Sequence, residues 1–147
     1  KGLEISFNKP LTKTLSLNGN ATFSKHTYLN NPGISDSDII GNDIDTSPTE
    51  LGNLFFNFDN GQINWQLQAQ YTSDYYTNIE NTSRYAGHLL WHFRSQYQVN
   101  NKFKVSVRVL NLTDERYAER ADFSGFSGDR YFPGKPTSFE LSIAVKY

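Results

Sequence analysis

The 147 residues carry 14 Lys and Arg against 15 Asp and Glu, a formal charge of −1, so the cationic footprint of a nucleic-acid binder is missing and nucleic acid is not an expected partner. Cysteine and methionine do not occur, which excludes a disulfide framework and any Cys-based metal centre. Aromatic residues reach 15% while the hydrophobic fraction is only 37%. That balance fits a barrel wall, apolar on one face and ringed with aromatics, better than a soluble core rich in Leu, Ile and Val.

No apolar run approaches the ~20 residues of a membrane helix, and the first ten residues, KGLEISFNKP, contain no signal-peptide core. If the chain meets a membrane it does so as strands, and an export signal is expected upstream of residue 1.

Strict alternation dominates from the start. Leu3, Ile5 and Phe7 alternate with Glu4, Ser6 and Asn8, and then Leu15, Leu17, Ala21 and Phe23 alternate with Ser16, Asn18, Asn20, Thr22 and Ser24. Over 49–58, Leu54, Phe56 and Phe58 oppose Asn53 and Asn57, with Phe55 as an exception on the polar side. Ile63, Trp65, Leu67, Ala69 and Tyr71 then alternate with Asn64, Gln66, Gln68 and Gln70, a face of amides too polar for a dry core. The fifth strand, 85–97, sets Leu89, Trp91 and Phe93 against His88, His92 and Arg94. The sixth sets Phe103, Val105, Val107 and Val109 against Lys104, Ser106 and Arg108, and the last sets Phe139, Leu141, Ile143, Val145 and Tyr147 against Ser138, Glu140, Ser142, Ala144 and Lys146.

The connections alternate too. Short turns are expected at Asn8 to Lys13, Asp59-Asn60-Gly61 and Asn100-Asn101, and long loops at 29–48, 73–84 and 112–136. This is the ordering of an outer-membrane barrel with tight periplasmic turns and extended outer loops. Asp-Asn-Gly is itself a hairpin signal, because Asn and Gly accept positive φ. A soluble antiparallel sandwich would show the same alternation with its apolar face inward. Loop asymmetry and the amide faces favour the membrane reading, an all-β, antiparallel up-and-down transmembrane β-barrel. Bacterial single-chain barrels have an even strand count, so seven strands read as a piece of a larger barrel. The expected membrane-facing set is Trp65, Leu67, Tyr71, Leu89, Trp91, Phe93, Val105, Val107, Val109, Phe139, Leu141, Ile143, Val145 and Tyr147.

The stretch Val109-Leu110-Asn111-Leu112-Thr113-Asp114-Glu115-Arg116-Tyr117 resembles the Asn-Leu-Phe-Asp-Lys-Arg-Tyr segment near the end of TonB-dependent receptors. Gly128-Asp129-Arg130-Tyr131-Phe132-Pro133-Gly134-Lys135-Pro136 is similar to that family's last outer loop, and Phe139 to Tyr147 to its C-terminal strand. Thr113 stands where the family usually has an aromatic, and Tyr147 where Phe is commoner. The resemblance implies a bacterial outer-membrane barrel of about 22 strands with a plugged lumen, of which residues 1–147 form the C-terminal segment. The plug domain, the TonB-binding box and the earlier strands would lie outside the chain. It also implies import of a scarce nutrient, most often an iron–siderophore complex, driven by the TonB complex. The last strand would be the signal read by the barrel assembly machinery, so removing Tyr147 is expected to impair insertion. Outer-membrane lipid and lipopolysaccharide are the expected surroundings.

Several residues bear on chemistry. Asp36, Asp38, Asp43 and Asp45 invite a calcium reading, but Ile40 and Ser47 occupy positions where an EF-hand needs oxygen ligands, and a solvated acidic loop is the plainer account. His88 and His92 share a strand face yet stand about 13 Å apart at ~3.3 Å per residue, too far for one ion, and are expected to line the lumen beside Arg94. No catalytic constellation, metal site or cofactor site can be placed, so no enzyme is expected. The loop 112–136 is the better candidate for ligand contact. Its Arg116, Arg120 and Arg130 offer guanidinium forks and its Tyr117, Phe123, Phe126 and Tyr131 offer ring faces, suited to an anionic, ring-bearing chelate. Tyr75 and Tyr76 are similar candidates in the preceding loop. The same residues could instead bind lipopolysaccharide phosphate or form the aromatic girdle. The alternative function is a structural or adhesive barrel without active transport; a plug upstream would separate the two.

Overall fold

The computed structural model describes residues 1–31, 33 and 38–146, so Asp36 and Tyr147 lie outside the described residues. The strands are β1 (Gly2–Pro10), β2 (Leu15–Ser24), β3 (Glu50–Asp59), β4 (Ile63–Thr72), β5 (Tyr75–Tyr76), β6 (Arg84–Tyr85), β7 (His88–Gln98), β8 (Phe103–Leu110), β9 (Ala118–Ser124), β10 (Gly128–Pro133) and β11 (Ser138–Val145). Seven of them form one antiparallel sheet in the order β1-β2-β3-β4-β7-β8-β11, each neighbouring the next long strand along the chain. The pairs β5-β6 and β9-β10 are separate two-stranded ribbons.

Short-chain oxygens close the tight end. Asp59 Oδ1 accepts from Gly61 N, and Asn60 Oδ1 accepts from both Gln62 N and Ile63 N, while Gly61 takes φ 85°. Asn100 Oδ1 accepts from Lys102 N and Phe103 N in the same way, and Thr12 Oγ1 from Thr14 N and Leu15 N. The first turn is tighter than the alternation implied. Asn8, Lys9 and Pro10 stay paired with Asn18, Leu17 and Ser16, because Pro10 sits at the strand's end, where losing an N–H disturbs the ladder least.

Cross-strand register carries one face through the whole sheet. Ile5 opposes Ala21, Leu54 opposes Ala69, Leu67 opposes Phe93, Phe93 opposes Val109 and Val107 opposes Leu141. The described members of the expected membrane-facing set all share that parity, and Leu141, Ile143 and Phe139 are 57%, 66% and 67% exposed. An apolar band this bare is stable only against another apolar phase. The opposite face is a polar ladder in which Gln68 donates to Asn53 and Asn53 to Asn20, and Gln66 donates to Asn57 and Asn57 to Asn18. Phe55 interrupts it, opposite Asn18 and Gln68. Below the middle, Gln66, Arg94, Arg108 and Glu140 form one row across four strands, and Arg108 donates to Glu140.

The long segments are structured where the sequence read as loop. Residues 73–87 hold β5-β6, and 111–137 hold β9-β10. The fifth long strand correspondingly starts at His88, after Gly87 turns at φ 76° where a β-carbon would collide with the Thr72–Asp74 backbone. These segments bond to one another. Asp43 N donates to Asn81 Oδ1, Asn81 Nδ2 to Asp43 O, Asn42 Nδ2 to Ile79 O and Thr46 N to Tyr76 O. Thr77 and Ser83 in turn donate to Asp129. A layer of hydrogen-bonded ribbons therefore caps one end of the sheet.

Candidate ligand-binding site

Under that layer, on the polar face, lies a hollow of about 770 Å³, within the range of roughly 300–1,000 Å³ usual for small-molecule sites. Gln70, Thr72, Leu90, His88 and His92 enter it from the sheet, Thr46 and Pro48 from the first long segment, and Tyr75, Tyr85, Tyr117, Ala118, Glu119 and Arg120 from the ribbons.

One residue organises its wall. Asn111, 2% exposed and at φ 51°, turns the chain out of β8; its Nδ2 donates to Glu115 O (2.9 Å) and Lys135 O (3.1 Å), and its Oδ1 accepts from Glu115 N (2.9 Å). Its backbone N–H donates to His92 Nδ1 at 3.1 Å, and its carbonyl accepts from Thr137 Oγ1 at 2.6 Å. A backbone N–H can only donate, so the neutral His92 ring carries its proton on Nε2. The Asn-Leu-Thr-Asp-Glu-Arg-Tyr stretch is thus a knot that delivers Tyr117 to the hollow. The Tyr117 ring lies against the His88 imidazole (centroids 4.8 Å apart) and directly over Gly134, where a β-carbon would occupy the ring's own volume. Asp114, which accepts from Thr137 N and Oγ1, has its carboxyl held below the usual range by those bonds, with Arg116 adding to the effect.

The ribbons are braced by tyrosines. Tyr75 and Tyr85 are both buried with rings 5.3 Å apart; Tyr75 Oη accepts from Ala121 N at 2.8 Å, and Tyr85 Oη accepts from Ala118 N and shares a hydrogen bond with His88 Nδ1, both at 3.0 Å. Burial raises the Tyr85 hydroxyl's pKa.

The predicted contact residues divide. Tyr117 and Arg120 line the hollow, with Tyr75 inside its wall as a strut. Tyr131 stands beside Tyr85, ring centroids 6.3 Å apart, and Tyr76 carries the Arg84 guanidinium at 5.3 Å from its ring. Phe123 is 42% exposed and Phe126, at the tip of the β9-β10 turn, is fully exposed; neither joins the hollow. Arg116 is exposed near Asp114. Two of the three guanidinium forks are already engaged, because Asp122, with its side chain 7% exposed, receives Arg130 Nε at 2.7 Å and Arg120 Nη2. Those bonds, Arg130's first, hold the Asp122 carboxyl below its usual pKa. Arg120 also sits over the Phe132 ring at 5.4 Å. His88, His92, Tyr85, Glu119, Gln70 and Thr72 were not among the expected contacts. His88 and His92 were expected only to line the lumen, and their alternation with Leu89 and Trp91 was the available signal.

The described carboxylates of the acidic segment turn to separate partners. Asp45 Oδ1 accepts from Tyr28 at 2.8 Å, Asp43 meets Lys25 at 3.7 Å and Asp38 accepts from Ile40 N. Among the described residues no three metal-ligating side chains come together.

The family model "TonB dependent receptor-like, beta-barrel" matches residues 1–112. The chain belongs to this family. Its sheet is a fragment of a TonB-dependent receptor barrel of the Gram-negative outer membrane, open because only part of the barrel is present. Among solved structures it is similar to the siderophore receptor PiuA from Acinetobacter baumannii (20% identity, TM-score 0.80, covering 99% of this chain and 21% of that one). It is likewise similar to the ferric yersiniabactin uptake receptor FyuA from Yersinia pestis (17%, 0.79, 99% and 23%) and to the ferric-catecholate import receptor Fiu from E. coli K12 (23%, 0.75, 98% and 20%). At these identities the likeness shows the fold. The chain spans about a fifth of those receptors' length. No curated protein sequence matches.

Proposed function

We propose that this chain is the C-terminal segment of the barrel of a TonB-dependent transporter that imports an iron–siderophore complex, and that its three long segments form part of the outer entrance. The observation that carries the reading is the 770 Å³ ring- and amide-lined hollow beneath an ordered ribbon layer, at the lumen's mouth. His88, His92, Tyr117, Arg120 and Glu119 are its ligand-contacting residues, while Phe123, Phe126 and Tyr131 present rings further out. The remaining strands, the plug and the TonB-binding segment belong to the rest of the parent protein, through which TonB acts; β11 is the end read by the barrel assembly machinery. Lipopolysaccharide surrounds the outer half of the band. The role is passage of a ligand, not catalysis. Deleting the parent gene and measuring uptake of iron-loaded siderophores, haem, vitamin B12 and glycans tests this. Loss of iron–siderophore uptake alone is expected, and loss of none sinks the transport reading.

A further inference from the structure

The long segments of this chain carry a net negative charge, and the rest of its sheet a net positive one. Among the described residues of segments 25–49, 73–87 and 111–137, ten carboxylates face six cations, Lys25, Arg84, Arg116, Arg120, Arg130 and Lys135, whereas the strands and short turns carry eight cations against four carboxylates. Four of the six outer cations already meet a carboxylate: Lys25 with Asp43, Arg84 with Asp74, and Arg120 and Arg130 both with Asp122. Arg120 and Arg130 are thus held on a nearly buried partner of their own, while Arg116 and Lys135 do not line the hollow. Inside the hollow the charged groups are Glu119 and Arg120, which cancel, and the other polar groups are imidazole, phenol, amide and hydroxyl. A multiply charged anion approaching this wall would meet net negative potential outside and no spare cation within, and desolvating it there would be costly.

We infer that the ligand taken by this entrance is an uncharged or cationic ferric chelate, held by neutral hydrogen-bond donors and ring faces, and not a polyanionic one. The inference rests on the reading of the hollow as a ferric-chelate site. A chelate whose three bidentate groups each carry one negative charge, as hydroxamates do, balances ferric iron; one with three doubly charged catecholates leaves a trianion.

The test uses the full-length receptor in outer-membrane vesicles with three probes: an uncharged ferric tris-hydroxamate, one bearing an ammonium tail, and a ferric tris-catecholate trianion. Binding of the first two at least about tenfold tighter than the third is expected. That gap should shrink as ionic strength rises and screening shortens. Tightest binding of the trianion, or a gap insensitive to salt, overturns the inference while leaving a ferric-chelate receptor standing. Binding of none of the three removes the ferric-chelate reading and this inference with it. Asp122→Asn, which frees both arginines, is expected to tighten trianion binding about tenfold; because it also loosens the β9-β10 ribbon, Glu119→Gln serves as the second variant and should move the trianion in the same direction. No gain in either variant counts against the charge argument.

Discussion

Replacing Asn111 by alanine should loosen the whole last outer segment by an amount the geometry sets. The substitution removes three side-chain hydrogen bonds, to Glu115 O, Lys135 O and from Glu115 N, in a site only 2% exposed. Each is worth about 1 kcal/mol net, so the bonds account for ~3 kcal/mol. Alanine must also hold φ 51°, which asparagine tolerates and alanine does at a cost of about 1 kcal/mol. The sum, ~4 kcal/mol, corresponds to about a thousandfold rise in the opening equilibrium of residues 111–137, since each 1.4 kcal/mol is about tenfold. Hydrogen exchange of peptides spanning Glu115 and Lys135, in the full-length receptor in detergent, reads that ratio directly. Asn111→Gly separates the two contributions, because glycine keeps the turn and loses only the bonds; roughly a hundredfold loss of protection is expected. Protection unchanged within about threefold in both variants would refute the knot as the segment's anchor. Equal loss in both would refute the conformational part alone.

Other consequences follow from the same geometry. Gly134→Ala places a methyl group in the Tyr117 ring's volume, so Tyr117 must leave His88; ferric-chelate affinity should fall by about tenfold or more, read by quenching titration. The Tyr28 hydroxyl is pushed up to about 12, by burial first and by its bond to Asp45 second. Its stabilising contribution is therefore complete below pH ~10 and is lost as pH rises through about 12. The absorbance titration that distinguishes the parent from Tyr28→Phe should show a tyrosine ionising near 12, falling towards 10 in Asp45→Asn. Asp122, depressed by Arg130 and Arg120, works in the opposite sense: its contribution is present above the ordinary carboxylate range and is lost as pH falls through its lowered value, so exchange protection of Arg130 and Asp122 amides should drop only in strong acid. Leu141→Arg puts a charge on the lipid face mid-strand, where about 2–4 kcal/mol is expected, and the temperature at which the folded receptor loses its compact gel mobility should fall.

The sheet was legible because two solvents enforce it. Lipid on one side and a wet lumen on the other require strict alternation, and Trp65-Gln66-Leu67-Gln68 could not have faced otherwise. Above the membrane that requirement lapses. The β5-β6 and β9-β10 ribbons have water on much of both faces, so Ala118 to Ser124 shows no alternation, and only the Ser-Gly-Phe-Ser-Gly turn could have announced a hairpin. Arg120 and Asp122, two apart, would then have shared a strand face, and Arg130 would have fallen across from Asp122. Tyr75 was unreadable for a different reason. Its role depends on reaching Ala121, 46 positions along the chain, and a tyrosine in a loop gives no sign of so distant a partner.

The tight and ribboned ends of the sheet therefore obey different physics, and the site belongs to both. His88 and His92 stand on a strand of the continuous sheet, on the face opposite Leu89 and Trp91, so the ladder and not the ribbons sets their direction. Tyr117, Glu119 and Arg120 stand on a segment whose position depends on Asn111, Gly134 and Tyr85. Loosening that segment should leave the histidines in place while removing the ring and the two charged side chains. Asn111→Ala should accordingly weaken chelate binding without lowering the amount of folded receptor in the outer membrane. If receptor level and binding fall together, the segment is part of the barrel's folding core and not a wall mounted upon it.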